Sequence, residues 1–155
     1  EKFCQPLNET MERYQINTPQ RMACFLSQLA HESGCLKYVK ELATGQAYEG
    51  RKDLGNVQPG DGVKFKGRGL IQITGRTNYG ALGKALGADL INHPELLEGP
   101  VYASLSAGWF WDSRKLNDPA DVLDFTRITK RINGGVNGMA DRLKYFELAK
   151  KTLGI

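Results

Sequence analysis

The 155-residue sequence predicts one mainly helical domain, α+β in class, with a small irregular or β lobe and a cleft beside it. Three observations predict it. Apolar residues recur at helical spacing over most of the chain. A glycine-rich stretch from Thr44 to Gly69 interrupts them. One short alternating segment, Leu70–Thr74, follows that stretch. Apolar positions at i, i+3, i+4 and i+7 mark an amphipathic helix, whereas strict alternation marks a half-buried strand.

In chain order, Leu7, Met11 and Tyr14 share one helical face. Thr18-Pro19 then reads as an N-cap followed by proline at the first helical position. Met22, Phe25, Leu26, Leu29 and Ala30 form the apolar stripe of that second helix, and Ser33-Gly34 should end it. Between Thr44 and Gly69, seven glycines and the turn Pro59-Gly60-Asp61-Gly62 mark an irregular stretch. Long irregular stretches in compact domains usually serve function, so this one is expected to form the mobile wall of a cleft. In Leu70–Thr74, Ile71 and Ile73 should face one way, with Gln72 and Thr74 facing the other. Thr77 should cap a helix carrying Tyr79, Leu82 and Leu86 that ends at Gly87. Gly99-Pro100 should open another, running past Trp109 and Phe110. Val122, Phe125, Thr129 and Ile132 form a third stripe, closed by Asn133-Gly134-Gly135, and Met139, Leu143, Phe146 and Leu153 form the last.

Composition narrows the function classes. The chain is 41% hydrophobic and 25% charged, which is ordinary for a globular protein. No apolar run approaches the ~20 residues that span a bilayer. The opening Glu1-Lys2-Phe3-Cys4 lacks the basic-then-apolar order of a secretory leader, and the missing initial Met leaves a fragment of a larger protein open. The net charge of +4 favours anionic partners without choosing among them. Basic residues between Lys37 and Arg68 are interleaved with Glu41, Glu49, Asp53 and Asp61, so that stretch reads as a solvated face and no nucleic acid is expected. Cys4, Cys24 and Cys35 are read as reduced, packed thiols. His31, Cys24 and Cys35 share a helical face, but His93 is the only other histidine. A structural zinc site wants four ligands, so no metal and no cofactor are expected.

Glu32 carries the chemistry. It stands three residues after Leu29 and seven after Phe25, at the edge of the apolar stripe and in the last turn of its helix. Partial desolvation and the negative helix end both favour a protonated carboxyl, which is what general-acid cleavage of a glycosidic bond needs. A second carboxylate must activate water. Glu41 is nine residues on and Glu49 seventeen on. In one unbroken helix Glu32 and Glu41 would lie ~13.5 Å apart along the axis and on opposite sides, so the break at Ser33-Gly34 is required.

Three segments resemble glycoside hydrolase family 19, the chitinase-like family that includes phage endolysins and bacterial lysozyme effectors. They are His31-Glu32-Ser33-Gly34, the run from Phe65 through Gly67-Arg68-Gly69-Leu70-Ile71-Gln72-Ile73-Thr74-Gly75 to Tyr79, and Arg131-Ile132-Asn133-Gly134-Gly135. The likeness spans roughly residues 7 to 153 as a single domain within 1–155. It implies a two-lobed, lysozyme-like helical fold and inverting hydrolysis. It places the general acid on Glu32, the second carboxylate on Glu41 with Glu49 in reserve, and a water-positioning hydroxyl on Thr74. Sugar contacts fall on His31, Gln72, Asn78, Tyr79 and Asn133, with Arg142 supporting the carboxylates. The short Glu32-to-Glu41 spacing is typical of the endolysin-like branch, where plant chitinases are longer. That branch implies peptidoglycan as substrate, cut by a muramidase, with chitin hydrolysis or a non-catalytic glycan-binding domain as alternatives. The resemblance further implies a monomer acting in the bacterial periplasm or cell wall. Delivery would be by phage lysis or a secretion system, with an immunity protein as partner if the chain is a secreted toxin.

Overall fold

The computed structural model describes residues 1–155, and α-helices dominate it. In chain order they are α1 (Cys4–Arg13), α2 (Pro19–Glu32), the single turn α3 (Asp61–Lys64), α4 (Arg76–Leu86), α5 (Pro100–Ser113), α6 (Asn117–Asp121), α7 (Phe125–Asn133) and α8 (Met139–Leu153). Three short 3₁₀ turns cover Gln46–Tyr48, Lys52–Leu54 and Pro94–Glu98. No helix is long and apolar enough to cross a membrane.

The helix boundaries follow local chemistry. Thr18 opens α2 by accepting the Arg21 N–H at 3.2 Å, with Pro19 at the first helical position. The chain leaves α2 at Ser33, whose carbonyl accepts the N–H groups of Lys37 and Tyr38 and turns the backbone back. Gly87 and Gly134 end α4 and α7 in the left-handed conformation, which a glycine adopts without a Cβ penalty.

Helix α2 lies at the centre. It packs along α8 and also touches α6 and α7, while α1 packs on α5. Trp111 of α5 meets Phe25 of α2 edge-on, with ring centroids 5.3 Å apart, and Phe125 of α7 stacks on Phe146 of α8 at 4.3 Å. Burying each such side chain contributes roughly 1.5–3 kcal/mol, so α2 is held from several directions and its C-terminal end is a rigid platform.

Several expectations are corrected. Leu70–Thr74 is not a strand. Arg68 pairs with Ile73 in an antiparallel bridge and the residues between them form a tight turn, with Gly69 and Gln72 at φ of +85° and +62°. Leu70, Ile71 and Ile73 are all buried, so no alternation survives. The cause is packing against α5: a Cβ on Gly69 would sit 2.5 Å from the Ser106 hydroxyl. Thr77 does not cap α4; Gly75 precedes its first residue. Val122 is 74% exposed and outside α7, which starts at Phe125 because the Asp124 carboxylate accepts the Arg127 N–H. Leu143 lies on the exposed side of α8. The three cysteines are free thiols, but only Cys24 is packed; Cys4 and Cys35 are exposed.

Candidate active site

The Glu32 carboxylate projects from the last residue of α2 onto a buried arginine. Its Oε1 accepts from Arg142 Nη2 at 2.6 Å, with Arg142 1% and Glu32 22% exposed in their side chains. Each nitrogen of the guanidinium has a partner. Its Nη1 donates to Gln28 Oε1 at 2.6 Å and its Nε to the Asn137 carbonyl at 3.0 Å. Gln28, one helical turn before Glu32, donates in turn to the Thr129 hydroxyl at 2.9 Å. A continuous polar column therefore crosses from α7 through α2 to α8, and Glu32 supplies its one carboxylate. A buried cation keeps its charge only when paired and hydrogen-bonded, and this network does both. The expected apolar surround of Glu32 is replaced on one side by a guanidinium that fixes the orientation of the carboxyl.

Asn133 and His31 shape the same corner. The Asn133 carboxamide oxygen accepts the Asn137 N–H at 3.2 Å, closing the loop whose carbonyl holds Arg142. His31 Nδ1 contacts Asp141 Oδ2 at 2.7 Å. Its ring lies against Gly138, where an added Cβ would stand 2.3 Å from the ring. Both side chains brace the 133–138 loop beside Glu32.

Glu41 belongs to the irregular lobe. Its backbone N–H donates to the Gly67 carbonyl at 2.8 Å, and its Oε2 accepts the Gly67 N–H at 2.8 Å. The Tyr48 hydroxyl donates to Oε1 at 2.8 Å. Isolated bridges Lys40–Arg68 and Arg68–Ile73 lay three chain segments side by side, which is how Glu41 reaches the 67–74 turn. At Gly67 a Cβ would lie 2.7 Å from Gln72 Oε1 and 3.1 Å from Glu41 Oε2, so the missing side chain lets these two acceptors converge. Gln72 donates to the Gly69 carbonyl and Thr74 to the Gln72 carbonyl. The left-handed backbone at Gln72 costs of order 1–3 kcal/mol, and strain of this kind concentrates at functional sites.

Gln72, Thr74 and Asn78 line one groove of about 130 Å³ with Leu54, Ile73, Trp109, Phe110 and Arg114. Asn78 is anchored through its Nδ2, which donates to the Thr74 carbonyl at 2.8 Å. Arg114 lies over the Phe110 ring at 3.8 Å, and burial pulls its guanidinium below the ordinary arginine range. A polar floor with aromatic walls suits a sugar, whose rings offer hydroxyls at the edge and C–H faces. Glu32 and Glu41 do not line this groove.

The sequence-derived site therefore divides. Glu41, Gln72, Thr74 and Asn78 gather on the irregular lobe and the start of α4. Glu32, Arg142, His31 and Asn133 gather at the α2–α7–α8 corner. Tyr79 joins neither. It is fully buried, donates to the Lys66 carbonyl at 2.5 Å and accepts from Arg68 Nη1 at 3.1 Å. Burial pushes its phenol up to about 12, and a phenol so enclosed packs the core rather than touching a sugar. Glu49 is likewise occupied elsewhere. Its two oxygens accept the N–H groups of Gly60 and Gly62 at 2.9 and 2.8 Å, stapling the 49–62 loop to itself. Tyr48, Gln28, Asn137, Trp109 and Phe110 were not singled out from sequence. Gln28 was findable: a glutamine inside the α2 stripe, four residues before Glu32, signals a buried polar partner. No three His, Cys, Asp or Glu side chains converge as a metal site would require.

Comparisons with known proteins agree on one family. Residues 15–141 match the glycoside hydrolase family 19 model, described as chitinase class I. A glycosyl hydrolase family 19 domain-containing protein from Haemophilus influenzae is 32% identical over 92% of this chain and 84% of its own length. An endochitinase from Arabidopsis thaliana is 39% identical over 82% of this chain and 44% of its own. The chain thus spans about half the length of the curated plant relatives it matches. Among solved structures, a bacterial family 19 chitinase superposes with a TM-score of 0.82 at 26% identity, covering 98% of this chain and 86% of that one. Chitinase C from Streptomyces griseus gives 0.82 at 25% identity, covering 99% and 71%.

Proposed function

The chain belongs to glycoside hydrolase family 19, and from that premise we propose that it is a muramidase, cleaving the β-1,4 bonds of bacterial peptidoglycan by inverting acid–base catalysis. The observation that carries the catalytic part is the Glu32 carboxylate, held at a helix end by a fully buried Arg142 whose three nitrogens each have a partner. With Oε1 engaged, Oε2 is the oxygen that gives the proton to the leaving glycosidic oxygen. Glu41 acts as general base. Tyr48 and Gly67 occupy one site on each of its oxygens, and a carboxylate has about four lone-pair sites, so capacity for a water remains. The Thr74 hydroxyl positions that water. The water adds to the anomeric carbon from the face opposite the departing oxygen, Glu41 takes its proton, and the product inverts.

Two features support the wall polymer as substrate. The spacing between Glu32 and Glu41 is short, and the chain matches most of a bacterial relative while spanning about half of the plant ones. A second reading, an endochitinase, is favoured by the names of the plant relatives and of the superposed bacterial structures. Digestion of purified peptidoglycan, borohydride reduction and mass spectrometry decide between them. Reduced muramitol ends are expected. Reduced glucosaminitol ends would make it a glucosaminidase, and efficient chitin hydrolysis with no murein fragments would overturn the wall reading.

A further inference from the structure

On its outward face α7 carries Arg127, Lys130 and Arg131, all exposed, while Phe125, Ile128 and Thr129 face the core. The three cations line a groove of about 410 Å³ with Thr126 and Asp124 and no apolar residue. None of the three is in an ion pair. The groove's one carboxylate, Asp124, serves as the cap of α7, accepting the Arg127 N–H at 3.2 Å. Arg131 ties this groove to the other: its Nη1 donates to the carbonyl of Arg114, whose side chain lines the groove of Gln72, Thr74 and Asn78. At its C-terminal end α7 leads into the loop that holds Arg142, and through it Glu32.

We propose that this groove binds the carboxylates of the peptides carried by peptidoglycan strands, so that α7 grips the substituent while the groove of Gln72, Thr74 and Asn78 holds the backbone. The inference rests on the wall-polymer reading above. Charge complementarity selects the occupant. Three unpaired cations beside a glycan groove have nothing to meet on neutral chitin, but they match a strand that presents free carboxylates at regular intervals. A nucleic acid would also supply anions, but the groove holds no aromatic side chain on which a base could stack.

The test compares wild type with R127Q/K130Q, changes at exposed positions of α7 that leave Arg131 and its contact intact. The substrates are peptide-bearing peptidoglycan, the same glycan stripped of peptides by an amidase, which keeps only the lactyl carboxylate held close to each muramic ring, and a neutral chitooligosaccharide as a check on folding. At low salt the variant should show KM raised about tenfold on peptide-bearing strands, with kcat and the stripped glycan unchanged. Wild-type KM on peptide-bearing strands should rise with salt toward the variant's. Equal KM for the two proteins on peptide-bearing strands, or an equal loss on stripped glycan, would overturn the proposal while leaving muramidase activity standing. If wild type cleaves the chitooligosaccharide but no peptidoglycan, the wall reading fails and this groove assignment falls with it. Displacement of bound peptidoglycan by a DNA oligonucleotide more readily than by the free wall peptide would also overturn it.

Discussion

Arg142 and Glu32 share one consequence of burial: each has been placed where the other is required. Replacing Arg142 by alanine strands Gln28 and Asn137 as well as Glu32. Removing one partner of such a pair costs about 3–5 kcal/mol, and Glu32's partial exposure puts this case at the low end. Chemical denaturation should show that loss, together with reduced kcat. Glu32→Gln is different. Its amide oxygen still accepts from Arg142, so the fold should hold while hydrolysis falls by about 10²–10⁴-fold, the worth of a positioned acid. Activity above about a tenth of wild type in the folded variant would remove Glu32 from the acid role. Tyr79→Phe separates packing from binding. It leaves the Lys66 carbonyl without its donor, so stability should fall by about 1–3 kcal/mol with KM for glycan unchanged. A raised KM at unchanged stability would return Tyr79 to the sugar site.

At the scale of elements, the stretch from Thr44 to Gly69 was expected to be a mobile wall, yet side-chain acceptors fasten it. Glu49 binds two glycine N–H groups, Asn56 bridges the Tyr48 carbonyl and the Arg76 N–H, and buried Asp61 takes Arg76 in a two-point ion pair at 2.8 and 2.9 Å. Such long-range staples are invisible to local composition, because glycine density marks where the backbone bends and not what holds the bend. The Arg76 hydrogen bonds keep the Asp61 carboxyl below the usual aspartate range. A depressed folded value means that stability is fully present above the unfolded value of about 3.9 and is lost as pH falls through the lower folded value. Protection of the Gln58 N–H, which donates to the Asp61 carboxylate at 3.1 Å, should therefore be high near neutrality and fall below about pH 4, and Asp61→Asn should abolish that pH step. Fast exchange at neutral pH would restore the mobile wall. Several helix ends, by contrast, were legible from single residues, although the start of α4 and the whole of α6 were not. Thr18-Pro19, Gly87, Gly99-Pro100 and Asn133-Gly134 act through local backbone chemistry, and their boundaries stand as read. The strand at Leu70–Thr74 was misread because packing of Gly69 on Ser106, far away in sequence, turned an apolar run into a turn.

The whole molecule separates scaffold from site. Helices α2, α7 and α8 hold the Glu32 carboxylate on a buried cation, and the irregular lobe holds Glu41 near the groove lined by Gln72, Thr74 and Asn78. Sequence reasoning named Glu32, Glu41, Gln72, Thr74 and Asn78 through the resemblance of three short segments, and the structure gathers the last four on the irregular lobe and the start of α4, with Glu32 at the α2–α7–α8 corner. It could not foresee the burial of Tyr79 or the two glycine N–H groups on Glu49, because both depend on packing and hydrogen bonds across many residues. The central claim is that two carboxyl groups work as acid and base around a water, which demands inversion. Proton NMR of the first reducing ends released from an N-acetylated β-1,4 glycan tests it most directly. The account predicts that the α-anomer appears first and then mutarotates; the β-anomer first, or a 1,6-anhydro end, would contradict it.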